Sequence, residues 1–171
     1  MHGKETGKEA VDVKAEEEAE KKNLIQKYDE KFLNGKMLVI QGKAGARYAI
    51  GLEKPIKSEK EQVDIIAKPI NPSETGQRFT FDGRTKSIRL YHKRNFAISI
   101  KTGLNTRPHA VARVWKDEVG QKGLTYHGHW MMPYKGQMKL CIEFTKQEPG
   151  SVLAWRPCRD TPLQSFRLNQ I

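Results

Sequence analysis

The feature that most constrains the fold of this chain is a threefold internal repeat. Residues 48–52, 96–100 and 140–144 share one pattern of large, small, isoleucine, variable and large side chains, and they start 48 and 44 residues apart. Two further sets of segments recur with them in a fixed order, at residues 63–68, 111–116 and 152–156 and at residues 79–83, 124–128 and 166–168. Three sets that recur in one order indicate a single structural unit used three times.

Each recurring segment has the composition of a β-strand. The segments are short, rich in β-branched and aromatic residues, and bounded by turn formers such as Pro149-Gly150. A fourth strand per repeat lies at residues 37–40 and 87–90, with a looser copy at 130–132. Twelve strands closed around a pseudo-threefold axis describe a β-trefoil, which exposes no sheet edge. A β-sandwich also has short strands at regular spacing, but it does not explain the threefold repetition.

We therefore predict an all-β domain at residues 36–171, a β-trefoil of three four-stranded repeats at about 36–84, 85–129 and 130–171. Residues 1–35 predict a charged helical leader, because residues 9–33 contain no Pro or Gly and Asn34-Gly35 is a stop signal. Its second half carries an apolar stripe that fits two roles, contact with a protein partner or packing on its own domain. The partner-contact residues would be Leu24, Ile25, Tyr28 and Phe32.

Charge divides the chain at the same boundary. Residues 1–35 carry seven lysines and nine acidic residues, so the remaining residues hold a net charge of +13. Such a surface favours polyanions such as nucleic acid or acidic glycans, or an acidic protein face. Basic residues cluster around one predicted hairpin, where they fit either a polyanion site or a solvated loop: Arg84, Lys86, Arg89, Lys93 and Arg94.

Two short motifs resemble the Gln-x-Trp signature of the R-type lectins, the family of the ricin B chain. They are Gln77-Arg78-Phe79 and Gln164-Ser165-Phe166, with Phe in the place of Trp. The segments 140–143 and 155–158 resemble the Cys-Leu-Asp and Leu-Trp-x-Cys strands of the same family. The resemblance covers about four-fifths of the chain and implies the same β-trefoil fold.

The resemblance also implies candidate residues for a sugar site. In that family a carboxylate accepts hydrogen bonds from sugar hydroxyls, an aromatic ring stacks on the hexose, and an amide completes the site. Only the third repeat offers all three, as Glu143, Trp155 and Gln164, because Gly51 and Ser99 stand at the carboxylate position of the other repeats. The structural alternatives are a solvated Glu143, a core Trp155, and glutamines that hold backbone groups where repeats meet.

The family's paired cysteines imply a disulfide between Cys141 and Cys158, whereas a reducing compartment would leave two buried thiols. His127 and His129 project to one side of a strand, but no third ligand has matching spacing, so we predict no metal site. No nucleophile elbow, phosphate loop or paired-carboxylate motif is evident, and we predict no enzyme activity and no cofactor. The chain has no stretch of about 20 apolar residues and no apolar block at its start, so we expect no membrane span and an intracellular, cytoplasmic location.

The resulting functional prediction is a non-enzymatic binding module. We expect a protein-binding or scaffolding subunit of a larger assembly. The alternatives are a lectin with a single site in the third repeat, or a binder of sulfated glycan or nucleic acid.

Overall fold

The computed structural model describes residues 30–43, 47–103, 108–134 and 136–171. These residues contain twelve strands, one turn of α-helix and two 3₁₀ helices. The strands are β1 (Leu38–Gly42), β2 (Tyr48–Leu52), β3 (Val63–Pro69), β4 (Phe79–Asp82), β5 (Ser87–Leu90), β6 (Lys93–Ile100), β7 (Ala110–Val114), β8 (Thr125–Tyr126), β9 (Trp130–Tyr134), β10 (Met138–Phe144), β11 (Leu153–Pro157) and β12 (Phe166–Gln170). The helical segments are α1 (Glu30–Leu33), η1 (Thr75–Gln77) and η2 (Pro162–Gln164).

The strands form a barrel and a cap, as a β-trefoil requires. Antiparallel pairing joins β1 to β4 and to β12, β4 to β5, and β8 to β9. The second and third strands of each repeat form the hairpins β2–β3, β6–β7 and β10–β11. The three hairpins meet one another, since β3 pairs with β7 and single bridges join Ile66 to Val152 and His109 to Ala154. The predicted all-β, β-trefoil fold is confirmed, whereas the N-terminal helical extension stays a prediction.

The hairpins share one register, which makes their positions comparable. Ile50 lies opposite Ala67, Ile98 opposite Ala112, and Ile142 opposite Trp155. The three isoleucines of the sequence repeat are fully buried. Because the register is shared, a residue one step along any hairpin has a structural counterpart in the other two.

The end of the leader packs on the barrel. Leu33, the last residue of α1, is fully buried, and the backbone N–H of Gly35 donates to the Phe81 carbonyl at 3.0 Å. Phe32, by contrast, is 44% exposed, with the Lys36 ammonium 5.1 Å from its ring centre. The rest of the predicted leader helix, with Leu24, Ile25 and Tyr28, lies outside the described residues. No helix in the described part of the chain is long and apolar enough to cross a membrane.

Candidate functional site

Buried glutamines stand at equivalent places in the first and third repeats, just before the last strand of each. The Gln77 side chain accepts from the backbone N–H of Asn71 at 2.9 Å and donates to the Pro69 carbonyl at 2.9 Å. Gln164 accepts from the N–H of Arg159 at 3.0 Å and donates to the carbonyl of Pro157 at 3.1 Å. Both side chains hold the loop between the third and fourth strands, which is the structural role that the sequence left open.

The second repeat has the same device at Gln121, which the sequence reasoning missed. Gln121 accepts from the N–H of Lys116 at 2.9 Å and donates to the Val114 carbonyl at 2.8 Å. Two residues, not one, separate it from the following large residue, so the Gln-x-Phe spacing does not find it. A glycine precedes both Gln77 and Gln121, and that Gly-Gln pair is the signal that would have shown it.

Glu143 lies at the carboxylate position of the R-type lectin family, and both of its side-chain oxygens have partners within the protein. It is 2% exposed. Its Oε1 accepts from Arg159 Nη2 at 3.0 Å and from Gln164 Nε2 at 3.2 Å, and its Oε2 lies 3.1 Å from Arg156 Nε. The two arginine side chains are 50% and 60% exposed and cover the carboxylate from the solvent side. Glu143 is therefore neither an open sugar acceptor nor a solvated strand residue.

Each hairpin carries a cation at one equivalent register position, on its second strand. Lys68, Arg113 and Arg156 lie opposite Ala49, Ala97 and Cys141 respectively. Lys68 forms an ion pair with Glu74, and Arg113 forms one with Glu118. We call the three sets the ion clusters: Lys68–Glu74–Gln77, Arg113–Glu118–Gln121 and Arg156–Glu143–Gln164.

In the first two repeats, side chains of the ion clusters lie beside the position where the lectin family has its sugar-binding carboxylate. A Cβ added to Gly51 would lie 2.9 Å from Lys68 Cδ and 3.1 Å from Gln77 Cγ, so the glycine admits both side chains. Ser99 takes the same position in the second repeat, where its Oγ accepts from Gln121 Nε2 at 3.0 Å. Neither repeat offers a carboxylate at the position that would accept sugar hydroxyls.

Trp155 is not a sugar platform, and that prediction is wrong. Its side chain is fully buried, because it sits at the inward register position opposite Ile142. Its indole N–H donates to the Ser99 carbonyl at 3.2 Å, which ties the third hairpin to the second. No face of the ring meets solvent, so the structural alternative applies.

The basic candidates divide into one internal side chain and two exposed pairs. Arg89 is largely buried: its guanidinium stacks on Trp115 at 4.0 Å and its Nε donates to Ser87 Oγ at 2.7 Å. Burial lowers the pKa of Arg89, and the nearby Asp82 carboxylate acts in the opposite direction. Its expected role in binding a polyanion does not fit this position. Arg84 and Lys86 are exposed in the β4–β5 turn, and Lys93 and Arg94 are exposed at the start of β6.

A cleft of about 360 Å³ opens beside the first ion cluster. Apolar side chains of β2, the β2–β3 loop and β5 lie along it, among them Leu52, Ile56 and Leu90. Cationic and histidine side chains stand around these apolar residues: Lys54, Lys68, His92 and Lys93. Glu53 and Glu74 also line the cleft, and Glu74 is engaged by Lys68.

The remaining chemistry-bearing residues lie at the end of the second repeat and in the third repeat. Cys141 and Cys158 are joined in a disulfide, with their Cα atoms 4.9 Å apart. The rings of His127 and His129 are 6.3 Å apart, and burial together with His127 lowers the pKa of His129. Among the residues that the structure describes, no three His, Cys, Asp or Glu side chains are grouped closely enough to hold a metal ion.

No protein-family model and no curated protein sequence matches this chain. Solved structures do. The designed protein ThreeFoil, of threefold symmetry, superposes with a TM-score of 0.64 at 11% identity, over 81% of this chain and 100% of that one. A Macrolepiota procera ricin B-like lectin solved with lactose gives 0.59 at 14% identity, over 81% and 97%. The C-half of an earthworm R-type lectin solved with GalNAc gives 0.61 at 14% identity, over 80% and 99%.

These matches agree with the pairing of the strands and with the threefold register. Each match lies far below the identity at which residues of a binding site can be transferred. The chain has the ricin B-like β-trefoil fold.

Proposed function

We propose that this chain is a non-enzymatic, lectin-like module that binds a protein partner through the cleft of the first repeat. The observation that carries the proposal is the chemistry of this cleft, in which apolar side chains are surrounded by cations. A peptide segment with apolar and acidic side chains matches both properties. Burial of its apolar side chains would supply affinity, and the surrounding lysines would select for acidic neighbours.

The state of the three sugar positions supports a ligand other than a neutral sugar. The first and second repeats have Gly51 and Ser99 where a carboxylate is needed. In the third repeat both oxygens of Glu143 are engaged by arginines and by Gln164. A hexose could reach this carboxylate only by displacing one of these partners within the protein.

Two lysines at the cleft have their ammonium groups near neutral or distant acceptors. Lys93 Nζ donates to the Ile56 carbonyl at 3.3 Å, and Lys54 Nζ lies 4.0 Å from Glu61. Such contacts are weak and are easily exchanged for a carboxylate of a ligand. The same lysines therefore provide positive charge beside the apolar surface of Leu52 and Ile56.

The test is selection of peptides by the full chain, followed by titration of one selected peptide. Peptides with acidic and apolar side chains should be enriched, and Ile56→Glu should weaken binding at least tenfold, because it places a like charge on the apolar surface. Met138→Glu is the matched control, since Met138 is 52% exposed and does not line the cleft. Equal loss in the two variants would show that the cleft is not the site.

A glycan panel tests the lectin alternative, which keeps one specific feature in its favour, the contact between Gln164 and Glu143. Binding of a neutral sugar that is lost in Glu143→Gln would support a lectin and contradict the proposal. Deletion of residues 1–29 adds a separate arm, which measures whether the leader contributes to the affinity for the selected peptide.

A further inference from the structure

An ion pair attaches the loop between the third and fourth strands to its hairpin in the first two repeats. Glu74 lies three residues before Gln77, and its carbonyl accepts from the Gln77 N–H at 3.0 Å. Glu118 and Gln121 have the same spacing and the same contact, at 3.1 Å. In both repeats the glutamate side chain pairs with the cation of the hairpin.

The third repeat lacks this attachment. Thr161 takes the position of the glutamate, and its carbonyl accepts from the Gln164 N–H at 3.1 Å. The hairpin cation Arg156 pairs instead with Glu143 of its own hairpin. Asp160 precedes Thr161, but it is exposed, and in the described part of the chain it is paired with neither Arg156 nor Arg159. The hairpin cation therefore does not hold this loop.

Two adjacent residues at the start of the third loop hold it in another way. Cys158 is bonded to Cys141 of β10, and Arg159 Nη2 donates to Glu143 Oε1 at 3.0 Å. Because Cys158 and Arg159 are neighbours in sequence, the bond that fixes the first also keeps the second over the carboxylate. The disulfide thus stands where the other two repeats use an ion pair between loop and hairpin.

A cavity of about 280 Å³ opens beside the disulfide. It is lined by Cys141 and by His129, together with residues of the loop such as Arg159. Cys158 is partly exposed, whereas Cys141 is fully buried. The cavity and the exposed side of Cys158 give a small thiol a path to the bond.

We infer that the Cys141–Cys158 bond is a site of thiol–disulfide exchange with a small dithiol, and that its reduction releases the loop at residues 158–161. A thiolate of the dithiol attacks Sγ of Cys158, the S–S bond breaks, and Cys141 leaves as a thiolate that takes up a proton. The second thiol of the dithiol then breaks the mixed disulfide, Cys158 leaves and is protonated, and the reagent becomes a disulfide. Two electrons pass to the protein, and the two protons that the cysteines take up balance those that the dithiol loses.

Reduction leaves the loop with non-covalent contacts alone, so Arg159 can withdraw from Glu143. This exchange site lies in the third repeat and does not depend on the cleft of the first repeat or on the proposed function.

The first experiment measures whether the bond is reduced in the folded protein. The full chain is incubated with dithiothreitol in buffer and in about 1 M urea, and free thiols are alkylated and counted by mass spectrometry. We expect a rate that rises with the dithiothreitol concentration and is the same in both solutions, because the folded chain is attacked directly. A rate that rises about fivefold or more in urea would show that the bond opens only on unfolding, and would overturn the exchange site.

The second experiment measures hydrogen exchange of residues 158–164 in the oxidised chain, in the reduced chain and in Cys141→Ala/Cys158→Ala. Exchange should become at least about tenfold faster when the bond is absent. The equivalent loop of the first repeat, residues 70–77, is the control within the same molecule and should not change. Unchanged exchange at residues 158–164, or an equal increase in both loops, would overturn local release. The reduced chain gives this result even where the double variant does not fold.

A matched pair of substitutions tests whether the disulfide replaces the ion pair. Thr161→Glu, added to Cys141→Ala/Cys158→Ala, gives the third loop the carboxylate of the other repeats and should restore slow exchange at residues 158–164. Glu74→Thr makes the opposite change in the first repeat and should speed exchange at residues 70–77 while the disulfide stays intact. If neither substitution has its effect, the ion pair does not hold these loops, and the equivalence of bond and ion pair is overturned.

Discussion

The buried position of Trp155 makes a quantitative prediction that separates core from binding site. The side chain is fully buried and its indole N–H donates to the Ser99 carbonyl. Truncation of a buried Trp to Ala costs about 3–5 kcal/mol, which includes the cavity that remains. In a chain of this size each kcal/mol lowers the melting temperature by about 2–4 °C. Trp155→Ala should therefore lower the melting temperature by about 10 °C.

Two variants separate the contributions to this loss. Trp155→Phe keeps an aromatic ring in the core but removes the N–H, so it should cost about 1–2 kcal/mol from the lost hydrogen bond and the smaller ring. Trp115→Ala removes a half-buried Trp whose main specific contact is the stack with Arg89, and it should cost about 1 kcal/mol or somewhat more. Trp155→Ala should therefore be the least stable of the three variants.

The assay is thermal and urea unfolding followed by far-UV circular dichroism, which does not rely on the fluorescence of the residue removed. A melting temperature lowered by less than about 3 °C in Trp155→Ala would refute the placement of this side chain in the core. If Trp155→Ala kept its melting temperature but lost a sugar ligand that the intact chain binds, Trp155 would be a sugar platform, as the family resemblance implies.

Three further predictions concern the interior of the trefoil. Gln121→Ala should lower the free energy of unfolding by about 1–3 kcal/mol, because the backbone carbonyl of Val114 and the N–H of Lys116 lose the partner that the buried Gln121 side chain provides. Urea unfolding measures this loss. Burial raises the pKa of Tyr126 to about 12, so the unfolded chain releases this proton at a lower pH than the folded chain. The free energy of unfolding should therefore fall by up to about 3 kcal/mol between pH 10 and 12. Tyr126→Phe should lack this alkaline loss. Reduction of the Cys141–Cys158 disulfide, which spans 17 residues, should cost about 3 kcal/mol, and unfolding with and without reductant tests this.

The strand plan of the chain could be predicted from its sequence because the repeat supplies the same information three times. A single four-residue apolar segment is ambiguous, but the recurrence of the pattern around Ile50, Ile98 and Ile142 indicates a strand, and the structure places the three isoleucines at equivalent positions of their hairpins. The same argument failed for Gln121. One extra residue before Leu124 shifts the spacing, and a motif of three residues cannot absorb the shift.

The side-chain partners of the candidate site could not be predicted in the same way. Arg156 and Arg159 are 13 and 16 residues from Glu143 in sequence, and nothing in their spacing shows that both reach one carboxylate. Trp155 shows a related limit. A motif match assigns a residue to a strand, whereas one step of register decides whether its side chain faces the core or the solvent.

The third ion cluster explains how this β-trefoil accommodates a buried carboxylate at the position that the R-type lectin resemblance assigns to sugar binding. A buried carboxylate such as Glu143 must be paired, and its two arginines supply that pairing from within the chain. Discounted for the exposure of both guanidinium groups, each contact contributes about 1 kcal/mol. A sugar that displaced both would lose about 2 kcal/mol, or about thirtyfold in affinity. We therefore expect neutral sugars to bind poorly at this position, and we expect recognition at the cleft of the first repeat, where apolar side chains and lysines lie together.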